Sequence, residues 1–86
     1  MKFNVNKVEA ERLKNELSSQ IGNDFILNNA NRKYKLLEVK RLTKHVKDKK
    51  TDKTYEVIVK CYDYETPQIP LVEKAQTFLK NFSEFK

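Results

Sequence analysis

The chain has 86 residues, 35% of them charged and 38% hydrophobic, with one Gly, one Cys, no Trp and a net charge of +6. That length holds a single domain, residues 1–86, and the lone cysteine excludes the disulfide framework of a small secreted module, so a reducing, cytoplasmic setting is expected. No apolar run approaches the ~18 residues of a membrane span, and a polar capped helix stands where a signal peptide would carry its apolar stretch, so no membrane association is expected.

The first element is a helix over Lys7–Ile21. Asn6 can cap it, Glu9 stands at the third helical position as in a capping box, and Val5 can staple onto Ala10. Ala10, Leu13, Leu17 and Ile21 form a narrow apolar stripe, and Gly22 is placed to end the helix in a left-handed conformation. Asp24–Leu27 reads as a short edge strand, with Asn28–Asn31 as a loop.

From Lys33 to Lys47 and from Lys53 to Tyr64 the residues are β-branched, aromatic and alternating, with DKKTD between them, which is the pattern of a long hairpin. Pairing Lys47 with Lys53 puts Leu37, Val39, Arg41, Thr43 and His45 on one face, opposite Cys61, Val59, Val57 and Tyr55. The other face then carries Leu36, Glu38, Lys40, Leu42, Lys44 and Val46 with Thr54, Glu56, Ile58, Lys60, Tyr62 and Tyr64. A one-residue slip would exchange these faces, and adjacent Leu36 and Leu37 point to a bulge. A straight strand over Lys33–Lys47 would run about 50 Å, so the hairpin either bends there or projects as an arm.

The residues before Pro67 and Pro70 are pushed toward extended geometry, and Pro70 suits the first turn of a helix. Leu71, Ala75, Phe78, Phe82 and Phe85 then recur at helical spacing. The element order predicts an α+β fold: an N-terminal helix, a small antiparallel sheet dominated by a long basic β-hairpin, and a C-terminal helix packed on the same sheet face. The opposite face is left open.

Between Arg32 and Lys53 ten Lys/Arg stand against three acids, a net +7, while the rest of the chain sums to −1. So segregated a charge would steer a polyanion, although a lysine-rich composition produces the same excess without a ligand. In the register above Cys61 and His45 lie about 20 Å apart, too far for a dyad. Zinc-ligand spacings are missing, and a phosphate-cradling loop needs several glycines. Neither a metal nor a cofactor is expected, and no enzyme. A metal-independent ribonuclease drawing on Lys40, Lys60, Tyr62 and Tyr64 is the least favoured reading.

The expectation is therefore a small non-enzymatic binding protein that contacts nucleic-acid phosphates through Lys40, Lys44, Lys47, Lys49, Lys50 and Lys53, with Tyr62 and Tyr64 as stacking surface. The alternative is a protein-binding adaptor or inhibitor, of the kind mobile elements encode. It would dock its partner on the open face through Leu36, Leu42, Val46, Ile58, Tyr62 and Tyr64. The same face would close a homodimer, so the chain is expected to be a monomer or a homodimer.

Overall fold

The structure, a computed structural model, describes residues 5–45 and 53–85. It contains α1 (Lys7–Ser18), β1 (Asp24–Leu27), β2 (Arg32–His45), β3 (Lys53–Asp63), β4 (Leu71–Lys74), α2 (Ala75–Asn81) and β5 (Phe82–Glu84). The strands form one antiparallel sheet in the order β4-β3-β2-β1-β5, and both helices contribute to the core on one of its faces. The α+β architecture expected from the sequence is the one found.

Asn6 caps α1 as expected, its side chain accepting the Glu9 N–H at 2.8 Å. The Glu9 carboxylate turns to Arg12, and Val5 exchanges two backbone hydrogen bonds with Tyr55 at 2.7 and 2.8 Å. Ala10, Leu13 and Leu17 are buried, whereas Ile21 lies past the helix end and is exposed. Gly22 works four residues beyond Ser18 rather than as the cap itself. Its φ of 94° bends the chain into β1, and its N–H donates to the Leu36 carbonyl at 2.7 Å. A second left-handed residue, Asn31 (φ 54°), closes the turn from β1 to β2.

The β2–β3 ladder departs from the expected pairing. Val39 faces Val59, Arg41 faces Val57, Thr43 faces Tyr55 and His45 faces Lys53, two residues away from the register that paired Lys47 with Lys53. Val57, Val59 and Cys61 are fully buried under the helices, as they would be in either register. Because a shift of two preserves the side-chain alternation, the residues toward the tip keep their expected faces. Past the bulge they do not. The ladder carries an extra residue between Leu36 and Glu38, so Leu36 opposes Cys61 and is fully buried, while Leu37 is exposed.

The C-terminal segment is the larger correction. The helix expected from Pro70 onward is only the seven residues of α2, flanked by two strands. Leu71–Lys74 pairs with Ile58–Cys61, and Phe82–Glu84 pairs with Phe25–Leu27, so β1 is an interior strand and not an edge. The backbone edges of β1 and β3 need hydrogen-bond partners, and this stretch supplies them. Phe78 fills the space between α2 and the sheet, edge-on to Phe25 at 4.9 Å and stacked on Phe82 at 4.7 Å. Phe85, on the same helical spacing, ends half exposed.

At the far end of β3, Asp63 accepts from the Glu65 N–H at 2.9 Å, the Thr66 hydroxyl at 2.7 Å and Arg32 at 2.5 Å. This knot fastens the turn that leads to β4. The molecule measures 43 × 22 × 21 Å, with a radius of gyration of 14.0 Å against about 12 Å for a compact chain of this length. The excess is the β2–β3 arm, which runs on past the last pairs with β1 and β4.

Candidate nucleic-acid interface

Alternation along each strand sends every second side chain away from the helices, and among the described residues nothing covers that face. From β2 it presents Lys33, Lys35, Glu38, Lys40 and Leu42, and from β3 Glu56, Ile58, Lys60, Tyr62 and Tyr64. Asp24 and Ile26 of β1 and Val72 and Lys74 of β4 complete it. Lys35 opposes Tyr62, Glu38 opposes Lys60 and Lys40 opposes Ile58, so two of the three pairs set a cation against an aromatic or aliphatic group and the middle one sets it against a carboxylate.

One end of the face is aromatic and locked. Tyr62 and Tyr64 meet edge to face at 5.1 Å, and the Tyr64 hydroxyl donates to Asp24 at 2.6 Å across the width of β2. That bond pushes the Tyr64 phenol up to about 12 and, with Lys33 and Lys35 nearby, holds the Asp24 carboxyl below its usual range. The Lys33 ammonium stands 5.2 Å from the Tyr64 ring centroid, 4.7 Å from that of Phe85 and 3.6 Å from the Asp24 carboxylate. The Phe85 N–H donates to the Asp24 carbonyl at 2.8 Å, which carries this ring onto the open side.

Charge is unevenly neutralised. Lys74 reaches the largely buried Glu56 at 2.5 Å, and Lys40 lies 3.3 Å from the exposed Glu38. Among the described residues Lys35 and Lys60 carry no ion pair, and both flank Tyr62. The face therefore offers two lysines without an ion pair beside a partly exposed ring, with Asp24 and Glu38 opposite them in the ladder.

Of the residues singled out from the sequence, the structure brings together Lys40, Tyr62 and Tyr64 on this face. Lys44 and Lys53 take their places in the ladder opposite Thr54 and His45 at the end of the arm. Lys47, Lys49 and Lys50 lie outside the described residues, as does Val46. In the apolar set, Leu42 and Ile58 are on the face, but Leu36 is not: the bulge turns it into the core. The sequence reading did not single out Lys33, Lys35, Lys74 or Phe85. The alternation Lys33-Tyr34-Lys35-Leu36 held a signal for the two lysines, since Tyr34 and Leu36 are core residues. Nothing local marked Phe85.

The groups that would serve other chemistries are apart or occupied. Cys61 is fully buried and its thiol is pushed up to about 12 by that burial. His45 stands nine positions along β2 from Leu36, the residue opposite Cys61, a separation of roughly 25–30 Å. Among the described residues no three His, Cys, Asp or Glu side chains are placed to hold a metal ion, and no helix is long and apolar enough to cross a membrane. No protein-family model, curated protein or solved structure matches the chain.

Proposed function

We propose that the protein is a non-enzymatic nucleic-acid-binding module. A single strand lies across the open sheet face, its phosphates on Lys35, Lys40 and Lys60 and a base against Tyr62. The observation that supports this reading is the pair of lysines without an ion pair, Lys35 opposite Tyr62 and Lys60 two residues before it, beside an aromatic side chain on a sheet face that no described residue covers. A single strand fits better than a duplex because only unpaired bases offer their faces to a ring. The scarcity of arginine, three residues in all, fits phosphate contact rather than base-edge reading.

The test is fluorescence anisotropy with labelled single-stranded DNA, single-stranded RNA and duplexes at about 50 mM salt. Single strands are expected to bind more tightly than duplexes. Tyr62→Ala should lose the stacking contribution, about 1–3 kcal/mol per base or roughly 5- to 150-fold, and Lys35→Glu with Lys60→Glu should abolish binding. Failure to bind any of these nucleic acids, or wild-type affinity in the lysine variant, would sink the reading.

The exposed Leu42, Val72 and Phe85 on the same face favour a second reading, an adaptor or inhibitor that docks a protein there. In that case Leu42→Ala with Tyr62→Ala abolishes partner binding, while reversing the lysines mainly slows association.

A further inference from the structure

The two long edges of the β2–β3 arm are treated differently. On β3, Tyr55 gives both its backbone groups to Val5, and Val59 and Cys61 pair with Glu73 and Leu71 of β4. On β2, pairing with β1 stops at Lys35, and the turn before β1 reaches one residue further, where Leu36 bonds Gly22 and Asn23. Leu36 therefore directs its N–H and C=O away from β3, and the residues on its side of the strand do the same. Those are Val39, Arg41, Thr43 and His45. Among the described residues no strand or loop meets them. The result is an open edge about 20 Å long from Val39 to His45, at ~3.3 Å per residue.

We infer that this edge accepts an extended acidic segment of a partner protein as a sixth, antiparallel or parallel strand, its backbone bonding to Val39, Arg41 and Thr43 and its acids meeting Lys40 and the positive arm. Strand addition draws its affinity from these main-chain groups and its selectivity from alternate side chains. Charge selects the occupant. A second copy of the chain would bring a strand of the same net positive charge against Lys40 and Arg41, even though these already meet Glu38 and Glu11, and lysines on an edge are a device against self-pairing. An acidic strand meets attraction instead, and the exposed Leu37 and Leu42 offer apolar contact at intervals along it. The edge's main-chain groups take no part in the nucleic-acid reading, although Lys40 and Leu42 belong to the open face as well, and the inference stands whether or not that reading holds.

The experiment is residue-resolved amide hydrogen exchange on the full chain, with end-blocked peptides of about eight residues alternating Glu with Val or Lys with Val. Saturating Glu-Val peptide should slow exchange at Val39, Arg41 and Thr43 by about tenfold or more, and the Lys-Val peptide should not. Thr43→Pro removes one outward donor while leaving the ladder to β3 intact, and it should abolish this protection without changing the circular dichroism spectrum. Lys40→Glu with Lys44→Glu provides an independent variant, expected to exchange the preference for the acidic peptide for one for the basic peptide. Protection elsewhere, none at all, or equal protection by both peptides would overturn the inference. So would protection at these amides that grows with protein concentration in the absence of peptide, which would assign the edge to a second copy.

Discussion

If the proposed single-strand binding holds, its salt dependence counts the lysines engaged, and the ion pairs on the open face give the expected number. Lys33 and Lys74 are held against Asp24 and the largely buried Glu56. Lys35 and Lys60 are unengaged, and the Lys40–Glu38 pair is exposed on both sides and costs little to break. Three phosphate contacts give a slope of log K against log salt of about −2, at ~0.7 per contact for a single strand. Raising salt fourfold, from about 50 to 200 mM, should then weaken binding about 20-fold. Engagement of Lys47, Lys49 and Lys50 as well would double the slope and make the loss about 300-fold, so the titration separates a face-only site from one that includes the tip. Lys35→Gln with Lys60→Gln should lower the slope by about 1.4 in either case. The assay is anisotropy across a salt series with a labelled oligonucleotide. An unchanged slope in that variant would refute the assignment of these two residues.

Phe78 and Phe85 share a helical spacing but not an environment, so Phe78→Leu should cost about 1–3 kcal/mol through its two ring contacts and Phe85→Leu less than about 0.5 kcal/mol, read by urea denaturation. Equal losses would contradict the strand assignment of the last residues. Burial opposes ionisation of Asp63, but hydrogen bonds from Thr66 and from the Glu65 and Thr66 N–H groups, together with Arg32, outweigh it and hold the carboxyl below its usual range. Its contribution to stability is therefore complete above the unfolded value near pH ~4 and is lost as pH falls through the lower folded value, so Asp63→Asn should flatten the acid limb of urea midpoint against pH. With its thiol at about 12, Cys61 should react with an aromatic disulfide reagent at pH 8 at least about a thousandfold more slowly in the native protein than in denaturant. Native reaction at the denatured rate would show that β3 opens.

What was legible in the sequence was local. The Asn6 cap needs only the chain to its own third residue onward, and the long alternating hairpin announces itself by composition. The C-terminal helix is shorter than expected because Leu71, Ala75, Phe78, Phe82 and Phe85 fit a 3.6-residue period while the first four serve β4, α2 and β5 in turn and Phe85 follows β5. A helix as short as α2 has little stability of its own, so the unpaired edges of β1 and β3 decide where it starts and stops. Those edges are distant in sequence. The hairpin register was not legible because a shift of two residues keeps every side chain on its face, so the apolar pattern fits both pairings.

The bulge at Leu37 connects fold to site. Without the extra residue, strict alternation would put Lys33 and Lys35 on the same face as Val39 and Arg41, beneath the helices, and would turn Tyr34 and Leu36 outward. With it, Tyr34 and Leu36 join Val39 in the core, and both lysines join Lys40 on the open face beside Tyr62 and Tyr64. One inserted residue therefore resolves what would otherwise be a conflict between two halves of β2, each alternating correctly but in opposite phase. The phase change also falls where β1 stops pairing, so the position that assembles the open face is the position beyond which no described residue pairs with the edge of β2.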